Sequence, residues 1–277
     1  MHPLLQVFVG TVLTLLPVAW LLPLLTRWGG PRFDAWVCRA PALDWIVAFF
    51  TISPWVAGFA VAGWTGAVVA LGGQLAALWL WIMVHEAMHL GFQRGPRIHR
   101  TLGAMLGAWR NHAALWLMLP AVTVFWVVRL GEVLLYPPVR LLARLPKYRS
   151  ADWVSVSRHK FNGLIGHDLI WCLYCDWMTG IWALGSEVLR NIESFWCPLR
   201  FADATKCENC KIDFPDLETD WIKADGRLSE VVALLQEKYS SGNHSWFGHP
   251  SRFSTDHPRP EGSLSSYDDR LTTARPD

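Results

Sequence analysis

Charge is scarce in this chain. Asp, Glu, Lys and Arg make up only 17% of its 277 residues, against roughly 25% in an average soluble domain. The basic residues flank apolar runs instead of forming a stripe with an RNA- or DNA-binding motif, so a nucleic-acid partner is not expected. The amino-terminal Met1-His2-Pro3 lacks the basic region of a signal peptide, and the apolar run Leu4–Leu25 has no small-residue cleavage pattern after it. It is therefore expected to be a retained span. There is no internal repeat and no His-His pair anywhere in the sequence.

What the chain has instead is apolar and aromatic. Hydrophobic residues reach 52%, and there are 18 tryptophans, a residue that favours the membrane–water interface. A span needs about 20 apolar residues. Leu4–Leu25 meets that length. Leu43–Leu90 holds two more spans, broken near Gly63-Trp64-Thr65-Gly66, and predicts a tight helical hairpin. A further apolar stretch, Ala113–Tyr136, is interrupted at Pro120 and expected to close at Pro137-Pro138.

Arginine placement orients these spans. Arg27, Arg32 and Arg39 follow the first; Arg94, Arg97, Arg100 and Arg110 follow the hairpin. Both loops read as cytoplasmic by the excess of positive charge, with the amino terminus outside. Arg140, Arg144, Lys147, Arg149, Arg158 and Lys160 also read as cytoplasmic, which a single crossing at 113–136 contradicts. A bent or re-entrant segment at Pro120 reconciles them.

Gly163–Gly185 is apolar and Trp-rich, yet contains His167, Asp168, Cys172, Cys175 and Asp176. Charge in hydrocarbon is expensive, so this segment is expected to lie on the membrane or to be buried against other helices. Residues 190–224 read as irregular. Leu228, Val231, Val232 and Leu235 have helical spacing, ended by Ser240-Ser241-Gly242. From 243 onward Ser, Pro, Gly and His dominate, and disorder is expected. The reading is an all-α membrane protein with three to four transmembrane or re-entrant helices. It comprises a helical domain over 1–139, a cytoplasmic or interfacial cysteine-rich region over 140–242, and a tail over 243–277.

Two constellations carry chemistry. The first is His85-Glu86-Ala87-Met88-His89, at the cytoplasmic end of the third span. Spacing of i, i+4 puts both imidazoles on one helix face, where they can share a metal. HExxH also describes zinc peptidases, in which the glutamate is the general base. That reading would make Glu86 catalytic.

The second is a pair of C-x-x-C units, Cys172/Cys175 and Cys207/Cys210, separated by 31 residues, with Cys197 between them and able to replace one ligand. Four thiolates make a tetrahedral zinc or iron–sulfur site. Core thiols or a redox dithiol remain alternatives. Cys38 stands alone. His159 and His167, bracketing Gly163 and Gly166, are either further ligands or interfacial histidines. Asp168, Asp176, Glu187 and Glu193 lie near the thiols in sequence, and helix-surface charge is their plainer reading.

The box His85–His89 continues through Arg97-Ile98-His99-Arg100 to Gly103, and Trp109-Arg110-Asn111-His112 follows. Over residues 44–112 this resembles the membrane fatty-acid desaturases and carotene ketolases, in which a first histidine box ends a span and a basic turn starts a helix along the cytoplasmic face. The resemblance implies a membrane scaffold and iron bound by His85 and His89 with His99 or His112. The chain departs from that family where its second and third boxes carry paired histidines.

The leading expectation is an integral membrane metal-dependent oxidoreductase, desaturase- or hydroxylase-like, acting on a lipid or other apolar substrate. Iron would occupy the histidine site. The cysteine centre, zinc or iron–sulfur, would be structural or would pass electrons from a partner. The alternatives are a non-enzymatic metal-binding or assembly factor and a membrane zinc peptidase. A bacterial inner membrane is the expected location, with the cysteine-rich region cytoplasmic.

Overall fold

The computed structural model describes residues 2–145, 147–206, 217 and 221–239. Cys207, Cys210 and the tail from 243 lie outside them. The described residues are overwhelmingly helical and form no strand; the only extended pairings are two isolated bridges, Arg39 with Ser155 and Leu199 with Ile222. Three helical runs are long and apolar enough to cross a membrane: Pro3–Val37, Ala42–Met88 and Ala108–Ala143.

The chain divides into two compact units, neither continuous in sequence. One holds Met1–Gly131 and Tyr148–Leu184; the other holds Glu132–Lys147 and Gly185–Asp277.

In the first unit, α1 (Pro3–Val37) is interrupted at Gly30, where the backbone leaves helical geometry. The next run, α2 (Ala42–Thr51) with α3 (Ser53–Met88), is 47 residues long. A straight helix of that length would measure about 70 Å, more than twice the hydrocarbon core. The chain instead folds back at Ala62–Gly63, and Gly63 takes φ +59°, open to glycine at no steric cost. The two arms meet so closely that a Cβ on Gly58 would strike the Gly66 carbonyl, and one on Gly66 the Gly58 carbonyl. Small residues at such a contact let backbones approach in a membrane. The expected hairpin is therefore present, turning at 62–63.

Polar side chains complete the hairpin. Pro54 has no N–H, which deprives the Phe50 carbonyl of its helical partner. Gln74, from the opposite arm, donates to the Phe50 carbonyl at 2.7 Å and to that of Thr51 at 2.8 Å, and accepts from the Trp55 indole. An unpaired carbonyl in hydrocarbon would cost several kcal/mol. Against the second arm packs α1, with Gly73 in contact with the Phe8 backbone and Thr11.

Beyond α3 come a short turn, α4 (Leu90–Gln93), then α5 (Ile98–Leu106), α6 (Ala108–Leu117) and α7 (Ala121–Leu130). The interruption expected at Pro120 separates α6 from α7. There the Tyr174 hydroxyl donates to the Met118 carbonyl at 3.1 Å. Buried Arg129 pairs at 2.6 Å with the partly buried Asp44, and Trp177 is fully buried beside them. A short turn, α9 (Ser150–Trp153), precedes α10 (Gly166–Trp196). The first part of α10 buries Trp177 and Ile181 against the unit's other elements. Gly180 approaches the Trp153 carbonyl so closely that a Cβ would lie 2.5 Å from it. Of the two placements expected for this segment, the structure thus shows burial.

The second unit contains most of a π-helical turn, Gly131–Leu135, and α8 (Tyr136–Ala143). The sequence led us to expect a stop at Pro137-Pro138. The helical run instead passes through these prolines to Ala143, and they follow closely on the π-helical turn. Residues from 190 were also expected to be irregular, but α10 runs on to Trp196. Its buried stretch is held by Asn191, which donates to the Glu187 carbonyl at 2.7 Å, and by the Glu187–Arg190 pair. The expected helix at the carboxyl side is α11 (Leu228–Tyr239).

Candidate functional site

The polar residues of the first unit gather where α3 ends and α5, α6 and α10 begin. Arg97 is the hub. Its side chain is 1% exposed; Nη2 donates to Glu86 Oε1 at 2.7 Å and Nε to Asp168 Oδ2 at 2.8 Å. Nη2 also reaches the Ile165 carbonyl at 3.1 Å.

The two carboxylates each finish a helix. Helix α5 has no capping side chain of its own, and Asp168 accepts from its first amides, Ile98 at 3.2 Å and His99 at 3.1 Å. Glu86 accepts from the His167 amide at 3.1 Å, in the first turn of α10. Both placements set negative charge against the positive end of a helix. Gly166 opens α10 with φ +47°, and a Cβ there would collide with the Glu86 side chain.

Burial alone would raise the Asp168 carboxyl. The imidazole of His167 and the hydrogen bonds from Arg97 and His99 outweigh it and hold the group well below the usual carboxylate range. For Arg97 burial acts to lower the guanidinium, and Glu86 and Asp168 outweigh it and raise it further.

Around this clamp stand five histidines. His99, His167 and Asp168 bring one donor atom each within 4.8 Å of one another. The rings of His99 and His167 lie 5.1 Å apart, and His112 stacks on His167 at 5.6 Å. His85 and His89 stack at 4.4 Å, with Trp81 on the other side of His85 at 4.5 Å. His99 and His112 also line an open groove of about 500 Å³ with Gly103, Ala104, Ala108 and Asn111.

Hydrogen-bond partners decide which ring nitrogens are presented. Asp168 Oδ1 accepts from His99 Nδ1 at 3.0 Å, which leaves the lone pair of His99 on Nε2. His89 Nδ1 donates to the His85 carbonyl at 2.8 Å, with the same result for His89. His85 Nδ1 accepts from the Gly166 amide at 3.1 Å, so its Nε2 carries the proton. His167 Nε2 accepts from the Trp171 indole at 3.2 Å, so its proton is on Nδ1. That Nδ1 is buried, has no hydrogen-bond partner among the described residues, and lies 3.9 Å from Asp168 Oδ1. A cation at this Nδ1, beside a carboxylate and a second imidazole, would require the ring proton to move to Nε2 and the Trp171 hydrogen bond to break. Two histidines and one carboxylate are the donor set of non-haem iron centres, and the residues fit such an ion in kind.

The remaining sequence candidates lie elsewhere. Cys172 and Cys175 are half-buried on α10, and Cys197 is exposed just beyond its end. Burial pushes the Cys172 thiol up. Cys38 sits with Asp34 and His159. Sequence reasoning missed Arg97 as the hub and Asp168 as its partner. The available signal was the cost of an aspartate in an apolar stretch, which requires a buried cation nearby.

The residues thus define a histidine- and carboxylate-rich centre at the end of an apolar helical unit. Comparison with protein-family models, curated proteins and solved structures yields no match to this chain.

Proposed function

We propose that this chain is an integral membrane, metal-dependent oxidoreductase, desaturase- or hydroxylase-like, acting on a lipid or other apolar substrate. One observation carries the reading: His99, His167 and Asp168 converge at the end of the apolar helices, with His112 stacked against them beside an open groove. The local resemblance at His85–Gly103 supports the membrane scaffold but implies iron on His85 and His89, and His85 Nδ1 already accepts from the Gly166 amide.

His99, His167 and Asp168, with His112 alongside, would hold the iron. Iron bound by such a donor set supplies oxygen-dependent oxidation of unactivated carbon. The chain's own groups do the rest. Arg97 holds both carboxylates in place. The small residues Gly103, Ala104 and Ala108 offer an apolar wall to an acyl chain. Trp79 and Trp116 stack at 5.4 Å beside His112. Glu86 acts by position, since its Oε1 is already shared by Arg97 and the His167 amide. That arrangement gives less support to the zinc-peptidase reading, which needs Glu86 free as a base. On this reading the cysteine region is cytoplasmic, would hold zinc or an iron–sulfur centre, and would meet the electron donor.

The test is iron content and lipid oxidation by the full chain in detergent. His99→Ala and His167→Ala should each lower iron and abolish product while the protein stays monodisperse. Unchanged iron in both variants would refute the assignment.

A further inference from the structure

A second cluster lies apart from the clamp and does not depend on the reading above. After the break at Gly30, the end of α1 carries Asp34 and Cys38 one turn apart, on one helix face. His159 comes to them from a 3₁₀ turn, Arg158–Lys160. Three atoms meet: Cys38 Sγ lies 3.7 Å from Asp34 Oδ1 and 3.7 Å from His159 Nε2, and His159 Nε2 lies 3.6 Å from Asp34 Oδ1. The same three atoms define all three edges of a nearly equilateral triangle.

That triangle has the size of a tetrahedral metal face. Zinc bonds of about 2.3 Å to sulfur and about 2.0–2.1 Å to nitrogen and oxygen imply edges of roughly 3.3–3.6 Å. Each edge must shorten by about 0.3 Å or less to meet that geometry.

The surroundings hold the donors in place. Lys160 Nζ binds the other carboxylate oxygen, Asp34 Oδ2, at 3.0 Å, which turns Oδ1 toward the thiol and the imidazole. The two backbone segments are fastened by the Arg39–Ser155 bridge, by Ala40 N–H to the Val154 carbonyl, and by Val156 N–H to the Cys38 carbonyl, each bond 2.9 Å. Asp176 anchors the turn bearing His159 by accepting from the Ser157 amide at 2.7 Å and the Arg158 amide at 3.1 Å. Asp34 and His159 keep side-chain exposures of 23% and 27%, so a hydrated ion can reach them.

We propose that Asp34, Cys38 and His159 form a zinc site, with water in the fourth position. It ties the end of α1 to the segment leading into α10. Sulfur, nitrogen and oxygen donors together suit zinc over magnesium or calcium, which take oxygen ligands.

The test uses the full chain in detergent, prepared zinc-free and zinc-loaded with the content verified by elemental analysis. Alkylation of Cys38 by a maleimide is followed by peptide mass spectrometry. Zinc should slow it on the order of tenfold or more, because the bound thiolate is withdrawn from reaction. His159→Ala should abolish that protection and lower zinc by one equivalent, whereas His99→Ala should leave the protection of Cys38 intact. Equal alkylation rates in zinc-free and zinc-loaded wild-type chain would overturn the proposal. So would full protection in His159→Ala.

Discussion

Replacing Arg97 by Met tests the clamp, because it removes one cation from between two carboxylates. The guanidinium is 1% exposed and Asp168 is 4% exposed, so water cannot take its place. Breaking a buried pair from one side costs about 3–5 kcal/mol. The lower end applies here. Asp168 keeps the amides of Ile98 and His99 and the His99 ring, and Glu86 keeps the His167 amide. Arg97→Met should therefore destabilise the chain by about 3 kcal/mol. Arg97→Lys should cost less, about 1–2 kcal/mol, because an ammonium keeps the charge but lacks the fork that reaches both partners. Unfolding in mixed micelles, followed by tryptophan fluorescence, measures both. Adding Glu86→Gln to Arg97→Met should recover part of the loss, since it removes one uncompensated charge. A cost below about 1 kcal/mol for Arg97→Met, with no recovery in the double variant, would refute the argument that the clamp is a buried, coupled unit.

Two further outcomes follow from the helical scaffold. Gly66→Val should destabilise the hairpin by about 1–3 kcal/mol through backbone collision with Gly58. Gly10→Ala, where a Cβ meets nothing within 4 Å, should be nearly neutral; thermal unfolding of the two variants compares them. Asp44→Asn and Arg129→Met should each cost about 1–3 kcal/mol. Their double variant should cost less than the sum, as a double-mutant cycle on unfolding free energy will read.

The helical elements were legible in the sequence because apolar length and helix-breaking residues are local signals. The hairpin within Leu43–Leu90 could be read from its glycines and its length, and α11 from the spacing of Leu228, Val231, Val232 and Leu235. The passage of α8 through Pro137-Pro138 could not. The prolines follow on a π-helical turn, which no local signal in the sequence marks. The candidate site was half legible. His85, Glu86 and His89 announce themselves by spacing, and His99 and His112 by their place after the box. Asp168 and Arg97 are 71 positions apart, and no periodicity links them. Cys38 looked solitary because its partners arrive from one helical turn before it and from 121 positions later.

Metal analysis of the purified full chain, wild type beside a His99→Ala/His167→Ala double variant, tests the central claim most directly. The account predicts iron in the wild type, lost in the double variant together with oxidation of an added lipid, while the helical content stays the same. Wild-type protein that binds no iron under iron-replete expression, or a double variant that retains it in full, would contradict the account.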